Sequence, residues 1–202
     1  MDIAKTFVEN GYHVLMFDLR NSGESKGRKS TMSLNETDDL LGAIHYAKQI
    51  KKMKFISVLG WSMGATTALL TSSQTTDINA IIADSPFSTF TSYLKKNIHV
   101  WAKTPLFLNS FLFFLYANTR FYNYKKIDVF KHKKALEATP LLLIHSKYDN
   151  LIPYEESLSI FQQVNEIGKT ELWIPENPHH VSTHIYLKKE YGKIVLNFLD
   201  KQ

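Results

Sequence analysis

The chain is predicted to be an α/β protein: a mostly parallel sheet of about five strands, flanking helices and one helical insertion. Short apolar runs typical of buried strands alternate with longer segments of helical periodicity, which places helices on the faces of a parallel sheet. The length of 202 residues fits one compact domain, and no internal repeat or low-complexity linker interrupts it.

The first predicted elements are a helix over residues 2–9, closed by Asn10-Gly11, and a strand from Tyr12 to Leu19. A second helix is predicted from about Ser33, because Ser33 and Glu36 have the spacing of a capping box. The rest of the chain continues the alternation. Its predicted strands are at residues 80–83, 141–145 and 171–174, and its predicted helices are near residues 154–165 and 191–199.

A nucleophile elbow is predicted at Ser62. The apolar run over residues 55–59 ends in the motif G-x-S-x-G, which spans Gly60 to Gly64, and the small residues that follow begin a helix. In this strand–turn–helix context the serine hydroxyl is lifted clear of the sheet, and the Met63 amide points at the same space as an oxyanion donor. Gly60 and Gly64 are expected to avoid Cβ clashes with the neighbouring strand and helix.

A serine nucleophile needs a base and an acid, and after such an elbow they follow in the order acid, then histidine. Asp149 lies just beyond the predicted strand at residues 141–145, where parallel sheets place ligand and catalytic groups. A loop after the last strand carries His179 and His180, and His184 follows shortly after. These three histidines are the candidates for the base.

Several further motifs resemble those of the α/β-hydrolases, in the bacterial serine-hydrolase branch related to peptidase family S33 and the BEM46-like esterases. Residues 18–25 resemble the D-x-R-G-x-G-x-S loop of that branch, and residues 84–87 resemble its D-S-P-[FY] turn. Residues 144–153 resemble I-H-G-x-x-D-x-x-[IV]-P, and residues 191–199 match the closing helix. The resemblance covers nearly the whole chain, although Asn21 and Ser146 stand where the family usually has glycine.

The resemblance implies roles for individual residues. Ser62 would be the nucleophile, Asp149 the acid and His180 the base, with His179 as the runner-up because it takes a position more often held by glycine. His184 is assigned to the approach to the last helix, and Asp84 to a strand-ending turn. The remaining five histidines are interpreted as satisfied surface residues: His13, His45, His99, His132 and His145.

The alternation of strands and helices stops between residues 85 and 138, where the family carries a cap. We therefore expect residues 1–84 and 139–202 to form the hydrolase core and residues 85–138 a helical cap above Ser62. Residues 93–134 hold nine Lys or Arg against one acid, Asp128, and eleven of the 26 aromatic residues. Such a cap suits a substrate with an apolar body and a polar or anionic end, and equally an anionic membrane surface. Alternatively, the aromatics form the cap's own core.

Composition limits the chemistry. The absence of cysteine excludes disulfides, thiol catalysis and thiolate metal sites, and no His and carboxylate residues have metal-ligand spacing. We therefore expect neither a metal nor a cofactor, and a small ester or amide with an apolar portion as substrate. Nucleic-acid binding is not expected because the basic residues are scattered. The beginning of the sequence lacks a signal segment, which favours a cytoplasmic location, although a longer chain could carry an N-terminal membrane anchor.

The resemblance also implies three strands ahead of the helix at residues 2–9, the last ending in a His-Gly loop that supplies half of the oxyanion hole. Because no such strands precede that helix, the chain is expected to be a shortened version of a longer one. The strand from Tyr12 to Leu19 should then be poorly paired on at least one side, or should shift across to pair directly with the strand that precedes Ser62. An exposed strand edge would favour self-association.

These inferences converge on a serine hydrolase that cleaves carboxylic esters or amides through a Ser-His-Asp triad and an acyl-enzyme intermediate. Two alternatives remain open at the level of sequence. The chain could be a truncated, catalytically impaired remnant of such an enzyme, or an acyltransferase that uses the same triad.

Overall fold

The computed structural model describes residues 2–102, 108 and 124–202, and its core is a four-stranded parallel sheet. The strands are β1 (Ser57–Trp61), β2 (Ala80–Asp84), β3 (Leu141–Ile144) and β4 (Thr170–Trp173), and they lie side by side in chain order. All three pairings are parallel. The predicted α/β class is therefore confirmed, with one strand fewer than the approximate number expected.

Helices connect and cover these strands. They are α1 (Asp2–Glu9), α2 (Glu36–His45), α3 (Met63–Thr71), α4 (Phe90–Ala102), α5 (Lys133–Ala138), α6 (Glu155–Val164), α7 (Thr183–Tyr186) and α8 (Lys188–Leu199). A π-helical turn, Tyr46–Ile50, continues α2, and two 3-10 turns lie at Tyr124–Lys126 and Val129–His132. The helices predicted at residues 2–9, near 154–165 and at 191–199 are present.

The two faces of the sheet carry separate apolar clusters. On one face, Leu69 of α3, Ile81 of β2 and Ile160 of α6 belong to the larger cluster. On the other face, Ile82 of β2 packs with Phe198 of α8 in a smaller cluster. Since β2 and β3 are buried along their whole length, they form the centre of the fold.

The strand predicted from Tyr12 to Leu19 is wrong, because the structure forms no strand over these residues. Val14 to Phe17 have 39 to 50% of their surface exposed. A cavity of about 170 Å³ separates residues 12–16 from Ser57 and Leu59 of β1. A strand requires a hydrogen-bonded neighbour, and none of the four strands in the described part of the chain lies against this segment. On this side β1 is an edge strand of the described sheet, and self-association there stays a prediction.

The predicted capping box of α2 is also wrong. The helix begins at Glu36 with Asn35 at the N-cap, so that Ser33 lies outside it. Glu36 accepts hydrogen bonds from Thr31 and Ser30, and the Ser33 hydroxyl donates to the Met63 carbonyl oxygen, 2.9 Å away. Neither side chain therefore caps the other: Glu36 binds residues of the loop that precedes the helix, and Ser33 joins that loop to Met63.

The insertion after β2 leaves and rejoins the core at one place. Thr89 forms an antiparallel bridge with Asp128, the Phe90 N–H donates to the Ile127 carbonyl oxygen, and the Val129 N–H donates to that of Ser88. The described ends of the insertion are helical, and the middle of the cap expected over residues 85–138 lies outside the described residues. The boundaries of this cap stay a prediction.

Candidate active site

Three side chains meet at the carboxyl ends of the parallel strands, where the sequence predicted them. Ser62 follows β1, Asp149 lies in the loop after β3, and His180 lies in the loop after β4. The Ser62 hydroxyl is 2.8 Å from His180 Nε2, and His180 Nδ1 is 2.7 Å from Asp149 Oδ2. Since a carboxylate only accepts, Nδ1 carries the ring proton and Nε2 accepts from the Ser62 hydroxyl.

The backbone at Ser62 has the geometry of a strained elbow, with φ 52° and ψ −116°. Its N–H donates to the Asp84 carbonyl oxygen at 2.8 Å, and its own carbonyl oxygen accepts from the Thr66 N–H. A Cβ on Gly60 would lie 2.4 Å from the carbonyl group of Gly64, so that position requires glycine. A Cβ on Gly64 would meet nothing within 4 Å, and the clash predicted there is wrong.

Met63 is the first residue of α3, so its N–H has no acceptor within the helix. The loop before α2 holds this residue in two places. Ser33 donates to its carbonyl oxygen, and the Ser30 hydroxyl lies 3.3 Å from its sulfur. These contacts hold the side chain and the carbonyl group of the residue whose N–H the sequence predicts to be an oxyanion donor.

Buried Glu36 organises that loop, a feature that the sequence analysis missed. Its carboxylate accepts from the N–H and the hydroxyl of Thr31, both at 2.6 Å, and from the Ser30 hydroxyl at 2.8 Å. Burial alone would raise the pKa of Glu36, but these hydrogen bonds outweigh it and lower the pKa. The hydroxyl pair Ser30-Thr31 ahead of a carboxylate was the available signal in the sequence.

Asp149 is held by the backbone as well as by His180. Its Oδ1 accepts from the N–H groups of Leu151 and Ile152, at 2.8 and 2.9 Å. Burial alone would raise the pKa of this carboxyl, but hydrogen bonds from His145 and His180 outweigh burial and keep its pKa well below the usual range. Asp149 is therefore ionised at neutral pH and accepts the N–H of His180.

The other two candidate histidines do not reach Ser62. His179 is exposed, with a left-handed backbone at φ 68°. His184 lies in α7 at the approach to the last helix, as predicted, and its ring centroid is 5.1 Å from that of Trp61. Only His180 bridges the serine and the aspartate.

His145 is not the surface residue that the sequence analysis expected, because its side chain is completely buried. Its ring lies beside Asp149, with Nε2 at 3.3 Å from Oδ2. The adjoining loop, which folds over that ring, cannot be placed from a local pattern.

Asp84 ends β2 and has no exposed surface. One of its oxygens accepts from the Ser85 hydroxyl at 2.9 Å, while the other has no hydrogen-bond partner in the part of the chain that the structure describes. Burial raises the pKa of Asp84 to about 6, although the Ser85 hydrogen bond opposes the shift. Asp84 therefore does more than end a strand, because it titrates close to the candidate site.

Replacing this carboxyl should change how stability depends on pH. The pKa of Asp84 is raised in the fold above the ordinary 3.8. Its contribution to stability is therefore fully present below pH about 4 and is lost as the pH rises through 6. From pH 4 to pH 7, Asp84→Asn should gain about 2 to 3 kcal/mol in unfolding free energy relative to the unmodified chain. Urea unfolding at both pH values tests this, and an equal difference at both would contradict it.

Comparison with known proteins identifies the family. Residues 1–121 match the alpha/beta hydrolase fold family, so the chain belongs to that family. Within the residues that the structure describes, no helix has the length and apolar character needed to cross a membrane.

Three similar proteins illustrate the relationship. The Bacillus subtilis protein YqkD is 30% identical over 199 residues, which cover 96% of this chain and 64% of YqkD. Lysophosphatidylserine lipase ABHD12 of Danio rerio is 26% identical over 77% of this chain and 40% of its own. The Pyrococcus furiosus esterase Pf2001 has a TM-score of 0.79 at 28% identity, over 98% of this chain and 74% of that one. The chain thus spans less than two thirds of the length of YqkD and of ABHD12.

Proposed function

We propose that the protein is a serine hydrolase that cleaves carboxylic ester or amide bonds, with Ser62 as nucleophile, His180 as base and Asp149 as acid. The observation that carries the proposal is the hydrogen-bonded line from Ser62 through His180 to Asp149. Its three members follow three different strands, so the fold itself brings residues distant in sequence to one place. An esterase among the similar structures supports the same reaction class.

Acylation begins when the Ser62 oxygen attacks the substrate carbonyl carbon and passes its proton to His180 Nε2. Asp149 holds the ring with its proton on Nδ1 and stabilises the imidazolium that forms. The Met63 N–H donates to the oxyanion of the tetrahedral intermediate. The imidazolium then gives its proton to the leaving alcohol or amine, and the acyl group stays on Ser62.

Deacylation reverses these roles. His180 removes a proton from water, whose oxygen attacks the acyl carbon, and the oxyanion of the second tetrahedral intermediate again accepts from the Met63 N–H. Its collapse releases the carboxylic acid and returns the proton to the Ser62 oxygen.

The proposed substrate is a small ester or amide with an apolar portion. ABHD12 is named a lysophosphatidylserine lipase, and a lipid of this class has an apolar acyl chain. The aromatic side chains of Phe90, Tyr93 and Tyr124, at the described ends of the insertion, are buried in the larger apolar cluster, which supports the alternative that the aromatics of the cap form its core. Contact of a basic, aromatic cap with an anionic membrane surface is a further proposal for the same region.

Covalent labelling tests the reaction class. A fluorophosphonate probe should react at one residue, and mass spectrometry of the digested protein should find the adduct on Ser62. A series of p-nitrophenyl esters of increasing chain length, with matching anilides, would then separate esterase from amidase activity. Transfer of the acyl group to added alcohols would reveal an acyltransferase. An adduct on another serine, or no adduct on the folded chain, would contradict the proposal.

A further inference from the structure

Asp149 lies between two histidines, and only one of them faces Ser62. The second is His145, whose Nε2 is 2.8 Å from the Ile152 carbonyl oxygen and 3.3 Å from Asp149 Oδ2. Its Nδ1 is 2.7 Å from the hydroxyl of buried Ser157. Both ring nitrogens therefore have partners inside the protein.

The chemistry of those partners places the ring proton. A carbonyl oxygen can only accept, so Nε2 of the neutral His145 ring carries the hydrogen and Nδ1 accepts from Ser157. The same N–H points between Ile152 and Asp149 Oδ2, the oxygen that also accepts from His180 Nδ1 at 2.7 Å. One carboxylate oxygen thus faces N–H groups from two histidines.

We propose that His145 is a positioning residue for the acid of the triad, and this inference rests on the proposed hydrolase function. Its Nε2–H fixes the Asp149 carboxylate against the loop that carries it. The same hydrogen bond disperses the charge on Oδ2 and limits how strongly Asp149 stabilises protonated His180. Ser157, on α6, keeps the His145 ring in the required orientation.

Two other titratable groups, Asp84 and Tyr191, lie near the two histidines that flank Asp149. Asp84, at the end of β2, interacts electrostatically with both His145 and His180. Tyr191, on α8, is buried and faces Asp84. Because the pKa of Asp84 is raised and its charge acts on both histidines, each comparison is made in the native sequence and again with Asp84→Asn.

The test is the pH profile of kcat/KM for a p-nitrophenyl ester, measured for the native chain, His145→Leu and His145→Gln. Loss of the N–H in His145→Leu concentrates charge on Asp149 and favours protonated His180. The midpoint of the acidic limb should therefore move to higher pH by about 0.3 to 1 unit. His145→Gln, which retains a donor, should restore the midpoint, and the Asp84→Asn background should show the same shift. Lower rates at every pH with an unmoved midpoint would overturn the proposal.

A measurement on the unmodified protein covers the case in which His145→Leu fails to fold. Nitrogen NMR of the labelled imidazoles should show the proton of the neutral His145 ring on Nε2, because Nδ1 accepts from Ser157. A proton on Nδ1 of that neutral ring would overturn the inference. This readout needs no turnover, so it is separate from any failure of Ser62 to react with the fluorophosphonate.

Discussion

Replacing Ser62 with alanine should lower kcat for ester hydrolysis by about four to six orders of magnitude and abolish fluorophosphonate labelling. The Ser62 hydroxyl lies 2.8 Å from His180 Nε2, so in the proposed mechanism it can give its proton to that nitrogen as its oxygen attacks a substrate carbonyl. The backbone hydrogen bonds of residue 62 do not involve the side chain, so the fold should persist. Turnover with p-nitrophenyl acetate and circular dichroism of the same sample test both parts.

Ser73→Ala is a matched control, because the Ser73 hydroxyl is also hydrogen-bonded to a histidine, His132 Nδ1 at 2.5 Å. It lies beyond the far end of α3, roughly 16 Å from Ser62 at the rise of a helix. This variant should keep the native rate and labelling. Undiminished labelling of Ser62→Ala would remove Ser62 from the mechanism.

The second large effect is expected at His180. His180→Ala removes the proposed general base and should lower the acylation rate by about 10⁴-fold or more, because triad members act as a unit. Stopped-flow measurement of the p-nitrophenol burst isolates this step. Since the side chain is partly exposed, its loss should leave the protein folded.

The neighbouring histidine provides the control. His179→Ala alters an exposed ring next to the base, and its acylation rate should stay within about tenfold of the native value. If the two variants exchanged their effects, the base would be His179. The hydrogen bonds from His180 to Ser62 and Asp149 would then not describe the reactive state.

Much of the fold follows from local pattern, and its failures have a common cause. Residues 80–83 and 141–144 are unbroken aliphatic runs that the sheet buries completely, so their sequence alone suffices to predict strands. The segment from Tyr12 to Leu19 has a similar local pattern but forms no strand. Strand formation depends on a hydrogen-bonded neighbour, which is a property of the whole chain rather than of eight residues.

The candidate site divides in the same way. Ser62 and Asp149 follow strands inside recognisable motifs, and the resemblance selected His180 from three candidates. The burial of His145 could not be predicted, because its partners, Ile152 in the loop after β3 and Ser157 on α6, lie against it only in the folded chain. The role of Glu36 was missed for the opposite reason, since a capping-box spacing suggested a different partner.

The order of the strands in the sheet has a consequence for the kinetics of folding. Each strand pairs with the next in sequence, yet Ser62 and His180 are 118 residues apart. Contacts between such distant residues form late, because the entropic cost of closing a long loop must be met before the contact can stabilise the chain. The serine therefore gains its base only after β4 has docked on β3. During refolding, the appearance of probe-reactive serine would time that final docking step, while the circular dichroism of the helices would report the earlier ones.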